Sequence, residues 1–185
     1  VEALNNGNIE LARKIMEGDE QVDRAQKKIE NICFNLIVEQ QPVAKDLRTI
    51  TAALKMVTDM ERIGDHAADI SEITVFLARN NIKVNFDHIG KMATETVMML
   101  NHSIEAYVER DREKARKVIE HDDVVDELFN QVKDDIIAHI RSNPDAGEEA
   151  ADLLMVAKYF ERIGDHATNI AEWVIYSLQT VDEQL

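Results

Sequence analysis

Turn chemistry is scarce in this chain, with two prolines and six glycines spread over 185 residues. That speaks against a fold of many short elements joined by tight hairpins, which draws on both residues at its turns. Period-two runs of β-branched residues of useful length are missing as well, so strands are not expected. Cysteine occurs once, at Cys33, which excludes an internal disulfide and fits a reducing compartment. No apolar run approaches the roughly 20 residues of a membrane span, and the residues show no signal-peptide pattern, so membrane insertion is not expected. Basic residues are outnumbered, 21 Lys and Arg against 36 Asp and Glu, giving a net charge of -15 and a pI of about 4.7. Nucleic-acid binders are normally basic, so no nucleic-acid contact is expected. The same acidic surface repels phosphate and anionic lipid, and suits cations or a basic protein partner. A Gly-rich phosphate loop is absent, and so is the Glu-x-x-His spacing of carboxylate-bridged di-iron bundles.

What the chain does hold is helical periodicity, carried by 45% hydrophobic residues. Ile15, Val22, Ile29 and Leu36 fall on one stripe, with Ile32 and Cys33 beside it. Val43, Leu47, Ile50, Leu54 and Val57 fall on another. Breaks gather at Asn5–Asn8, at Gln41-Pro42, at Asn80-Asn81 with Val84–Asp87, at Arg110-Asp111 and at Ser142–Asp145. A residue before proline disfavours helix, and Pro144 suits a helix start. These signals predict helices over about 8–39, 43–80, 87–109, 112–141 and 145–180, with a helical stub before Asn5 as the sixth.

An internal repeat organises the helices. Ala12–Asp23 (ARKIMEGDEQVD) matches Ala115–Asp126 (ARKVIEHDDVVD) at seven of twelve positions, at an offset of 103. Glu61–Glu72 (ERIGDHAADISE) matches Glu161–Glu172 (ERIGDHATNIAE) at nine of twelve, at an offset of 100. The chain is therefore read as all-α, two tandem three-helix bundles over 1–84 and 85–185. The second copy opens with a full helix near Asp87 and the first with Val1–Leu4 only. By that symmetry roughly 15 to 20 further residues are expected ahead of Val1.

Acidic pairs at i,i+4 are weak evidence alone: about seven arise by chance at this composition, and most face solvent. Four here are placed by the repeat, at Asp19/Asp23, Glu61/Asp65, Asp122/Asp126 and Glu161/Asp165. Their first members interrupt apolar stripes. Asp19 lies between Ile15 and Val22, Asp122 between Val118 and Val125, Glu61 after Leu54 and Val57, and Glu161 after Leu154 and Ala157. A stripe position faces another helix, and a buried carboxylate must be protonated, paired or bound to a cation. Its i,i+4 partner points the same way. Two such pairs on facing helices make a hard-oxygen site for a divalent or trivalent metal.

Gly64 and Gly164, three residues after each Glu, leave room for a close helix approach or for an ion. Helical glycine otherwise costs about 1 kcal/mol against alanine. Asp69 and Asn169, one turn past Asp65 and Asp165, are candidate further oxygen ligands. His66 and His166 point about 100° away and are expected beside the ligands, not among them; imidazole there would favour iron, zinc or manganese over magnesium. The rival reading is an ion-pair network. Arg62 and Arg162 adjoin the Glu residues, but i,i+1 side chains diverge on a helix, which leaves Arg48 as a cation that reaches across from a helix start. No catalytic residue is identified; Cys33, Phe160 and Trp173 read as core or interface, and Met92, Met98 and Met99 as helix packing.

The duplicated ERIGDHA, the Asp-x-x-x-Asp pairs and the six-helix count resemble the PhoU family over the whole chain. The resemblance implies a cytoplasmic negative regulator of phosphate uptake and phosphate-starvation signalling, not an enzyme. It implies work with the ATPase subunit of a phosphate ABC transporter and a phosphate-sensing histidine kinase, and a homodimer is compatible with it. It also implies multinuclear metal at Glu61/Asp65 and Glu161/Asp165, faced by Asp19/Asp23 and Asp122/Asp126. Iron stands first, with zinc, manganese, nickel or magnesium as the other candidates. Asn169 in place of Asp69 leaves the two clusters free to differ. Two other classes stay open: a helical adaptor whose acidic pairs only set solubility, and a carboxylate-bridged metalloenzyme.

Overall fold

A computed structural model describes residues 1–80, 82 and 87–179 of the chain. Among the described residues there is no strand, and six α-helices carry the fold. They are α1 Glu2–Asn6, α2 Ile9–Gln40, α3 Ala44–Arg79, α4 Asp87–Glu109, α5 Arg112–Ser142 and α6 Gly147–Leu178; a 3-10 turn, Pro144–Ala146, leads into α6. The boundary drawn between residues 84 and 85 lies outside the described residues.

Local chemistry sets the ends of these helices. The Asn8 side chain accepts from the Leu11 amide and caps α2. Gly7 ahead of it closes α1 at φ +59°, a left-handed angle that glycine takes without a Cβ clash. Gln41 ends α2 in the same region, at φ 44°, where Pro42 bars the helix from continuing. Asp111 caps α5 by accepting from the Glu113 and Lys114 amides. Pro144 enters at the first position of its turn, where its missing N–H costs nothing.

α2 packs on α3, α4 and α5 pack on each other and on α6, and α3 packs on α6. The last contact joins the two repeats. It is antiparallel: near the start of α3, Arg48 donates to the carbonyl of Gln179, just past the end of α6. Arg48 therefore fastens the start of α3 to the end of α6. Because α6 has helices on three sides, it buries residues all round, with Leu153, Val156, Ile170 and Val174 fully enclosed. Each such side chain contributes about 1.5–3 kcal/mol.

The stripe expected on α2 is buried only in part. Ala12 and Cys33 are enclosed, whereas Ile29, Ile32 and Leu36 are 38%, 49% and 42% exposed. Val132 on α5, the repeat equivalent of Ile29, is covered. α5 has the 23-residue α4 beside it, and α2 has the five-residue α1. Among the described residues no helix is long and apolar enough to cross a membrane.

Candidate metal centre

The four acidic pairs come together in two clusters, one within each repeat. In the first, single oxygens of Asp19 and Asp23 on α2 and of Asp65 on α3 lie within 4.8 Å of one another, and all three residues are half-buried. Among the described residues no other group of three or more acidic, His or Cys side chains converges as closely. Asp19 Oδ1 is inaccessible to water and has no hydrogen-bond partner. Burial, then the charges of Asp65, Asp23 and Asp69, push the Asp19 carboxyl above its ordinary range. Glu61 is raised too, by burial first and then by Asp65, against the lowering pull of Arg62. Four like charges at one point repel, and a buried oxygen without a donor loses its hydration. A cation answers both, so the residues present fit a hard metal ion.

Gly64 makes the convergence possible. A Cβ at that position would stand 3.2 Å from Val22 Cγ1 and 3.3 Å from Asp19 Oδ1, so the bare backbone lets α2 close onto α3. At Gly164 the corresponding distances, to Val125 Cγ1 and Asp122 Oδ1, are 3.4 and 3.7 Å, ordinary contact. Gly164→Ala should therefore stabilise the metal-free protein by about 0.5–1 kcal/mol through helix propensity. Gly64→Ala should gain less, because Val22 and Asp19 must give way. Thermal melts of the two variants side by side check the difference; equal gains would mean that the close approach at Gly64 has no energetic weight.

Arg62 corrects one expectation. It does not diverge from Glu61: its Nε lies 3.5 Å from Glu61 Oε2, and one of its terminal nitrogens donates to Asp65 Oδ2 at 3.2 Å. The guanidinium folds back along the helix from the solvent side, where its side chain is 56% exposed.

The second cluster is looser. Asp122 and Glu161 are half-buried and Asp126 is exposed, while Asp165 keeps an exposed surface but has a carboxyl partly desolvated by the protein around it. Thr168 donates to Asp122 Oδ1 at 3.2 Å, and the Lys158 ammonium is ion-paired with Glu161 Oε2. The carboxyls of Asp122 and Asp165 are raised, each by burial first. For Asp122 the Thr168 hydrogen bond opposes the rise, and for Asp165 Asp122 adds to it.

The remaining candidates meet at the antiparallel α3–α6 junction. His166 Nδ1 lies 2.8 Å from Asp59 Oδ1, and the Asn169 amide donates to that same oxygen at 3.2 Å. His66 stands 3.6 Å from Asp69 Oδ2, and its ring lies 5.3 Å from Tyr159 and 5.7 Å from His166. Asp59 and Tyr159 are repeat equivalents at the offset of 100, so the junction has approximate twofold symmetry with different side chains on its two arms. Both histidines thus sit beside the clusters, facing the other repeat. Asn169 turns its amide to Asp59, and Asp69 is shared between this junction and the field at Asp19. Asp59, Tyr159, Lys158 and Thr168 were not singled out from the sequence. The signal lay in the repeat positions that differ, not in those that match.

A family model, the PhoU domain, matches residues 1–74 and 89–174. A relative from Clostridium acetobutylicum, named as a phosphate-specific transport system accessory protein PhoU homolog, is 38% identical over 95% of this chain and 81% of its own length. One from Aquifex aeolicus with the same name is 39% identical over 87% and 73%. The crystal structure of PhoU from Pseudomonas aeruginosa superposes with a TM-score of 0.88 at 29% identity, over 95% of this chain and 85% of that one.

Proposed function

The chain belongs to the PhoU family, and from that premise we propose that it is a cytoplasmic accessory protein of a phosphate-specific transport system. In this reading it restrains phosphate uptake and phosphate-starvation signalling by binding other proteins, and it carries metal ions in its carboxylate clusters. The relatives are named accessory proteins, not enzymes. The partners that fit are the ATPase subunit of the phosphate transporter and its sensor kinase, with a second copy of the chain as a further contact. A net charge of -15 favours a basic docking face on the partner.

The observation that carries the metal reading is the convergence of Asp19, Asp23 and Asp65 around a buried oxygen without a partner. Asp19, Asp23, Glu61 and Asp65 would hold one centre and Asp122, Asp126, Glu161 and Asp165 the other. When bound, a metal supplies positive charge that relieves their repulsion. All the ligands are hard oxygens, which suits iron(III), manganese and magnesium better than soft-ligand metals.

The test has two arms. Protein from unsupplemented cells should carry metal by elemental analysis, and Glu61→Ala with Asp65→Ala should reduce the count while the helical fold persists. A pull-down with the ATPase subunit and the sensor kinase should succeed at low salt and weaken at high salt. A metal count that does not change in the double variant removes the metal part and leaves a helical adaptor. Robust phosphate-ester hydrolysis lost in Glu161→Ala, with no partner retained, favours a metalloenzyme.

A further inference from the structure

The two clusters use equivalent acids, yet different groups surround them. Three repeat positions separate them. Lys158 on α6 stands where α3 has Thr58, Thr168 where α3 has Ala68, and Phe129 on α5 where α2 has Gln26. Lys158 lies one turn before Glu161, with its ammonium ion-paired with the buried Glu161 Oε2, which like Asp19 Oδ1 accepts no hydrogen bond, and 5.4 Å from the centre of the Phe129 ring. The ring forms an apolar, π-rich shelf that keeps the ammonium over the cluster. The hydroxyl of Thr58 instead donates to the Leu54 carbonyl of its own helix. Thr168 satisfies Asp122 Oδ1, whereas the equivalent oxygen, Asp19 Oδ1, has no partner, and Ala68 at the position of Thr168 carries no hydroxyl to supply one.

We infer that the repeats have diverged into unequal cation centres, the first tight, and the second weakened by two internal substitutes for a cation, Lys158 on Glu161 and Thr168 on Asp122. The inference rests on the metal reading above and adds which centre fills first and why.

A metal entering the first cluster finds three converging oxygens, one of them unpaired. Arg62 pairs with Glu61 and Asp65 from the solvent side, where its side chain is exposed and readily displaced, and it leaves Asp19 Oδ1 without a partner. A metal entering the second must displace the ammonium and draw exposed Asp126 inward, and it competes with Thr168 for the lone pairs of Asp122 Oδ1. Both substitutes stabilise the metal-free form, which lowers the gain from metal. A part-buried ion pair together with one hydrogen bond corresponds to roughly a tenfold difference in affinity.

Reciprocal exchange tests this on the whole chain, with Mn2+ as the probe in isothermal titration. Wild type should show two classes of site differing about tenfold. Asp65→Asn should remove the tight class and Asp165→Asn the weak one. Lys158→Thr with Thr168→Ala should bring the weak class to within about threefold of the tight class. Thr58→Lys, at an exposed position, should weaken the tight class several-fold. In metal-free protein Lys158→Thr should lower the thermal midpoint and Thr58→Lys raise it. Two equal classes in wild type, or a weak class that the Lys158/Thr168 exchange leaves unmoved in a folded protein, overturns the inference alone. Absence of Mn2+ binding in every form overturns the metal reading, and this inference with it.

Discussion

Saturating Mn2+ should raise the thermal midpoint of this protein by about 5–10 °C. Ligand at 100 times its dissociation constant stabilises a fold by about 2.7 kcal/mol, and 1 kcal/mol moves the midpoint of a chain this size by about 2–4 °C. Asp19→Asn with Asp65→Asn should abolish most of that shift and, without metal, should melt higher than wild type, because two mutually repelling charges are gone. The pH dependence follows from the direction of the carboxyl shifts. Asp19, Glu61, Asp122 and Asp165 are all raised in the fold above ordinary values of 3.8 for Asp and, for Glu61, 4.5. For groups shifted upward, the stabilisation is fully present below the unfolded pKa and is lost as pH rises through the folded one. Metal-free wild type should therefore lose stability relative to the double variant as pH climbs from about 4. Asp111 and Glu105 shift downward through their own partners, and taking the difference between wild type and variant removes their contribution. Metal needs the carboxylates deprotonated, so the Mn2+ shift should be larger at pH 7 than at pH 5. Differential scanning at both pH values, with and without Mn2+, reads all of this. A metal shift that the double variant retains would place the ion elsewhere.

The helices were legible in the sequence because their ends are local. Asn8, Pro42, Asp111 and Pro144 act within a few residues of themselves, and the expected ends agree with the observed ones within about two residues wherever both are described. The grouping of Asp19 and Asp23 with Asp65 was legible for a different reason. A duplicated i,i+4 pair that interrupts an apolar stripe has few solvent-facing explanations. What stayed hidden depends on contacts distant along the chain. Spacing put Asn169 on the face of Asp165, but helical spacing names a face and not the neighbour that meets it. That neighbour is Asp59, 110 residues away. Arg48, at a helix start, meets the far end of α6, a contact its position along the chain does not report. The exposure of Ile29 and Ile32 depends on what lies beside α2, which its own stripe does not report. Lys158 and Thr168 escaped because the repeat was read for its identities.

Asp59→Ala should cost about 2–3 kcal/mol, a fall of about 5–10 °C in the midpoint, although Asp59 lies outside the acidic pairs. One oxygen of this carboxylate accepts from both His166 and Asn169, and the side chain is only 14% exposed. Truncation leaves two half-buried donors on α6 without their acceptor, and an abandoned donor costs about 1–3 kcal/mol. Asp59→Asn keeps a carbonyl for one of the two and should lose about half as much. On the other arm Tyr159→Phe removes a hydroxyl that Asp69 holds, which also raises the phenol after burial has done so. It should cost about 1.5 kcal/mol, the low end for a hydrogen bond to a charged group. The ordering separates a junction that fastens the repeats from a surface contact. Thr58→Ala, one residue away and exposed, should stay within about 0.5 kcal/mol. Urea denaturation of metal-free protein at pH 7 ranks the four variants. Were Asp59→Ala no worse than Thr58→Ala, the α3–α6 contact would be held by its apolar residues alone. The polar arms would then have no part in fixing where His66 and His166 stand beside the two carboxylate clusters.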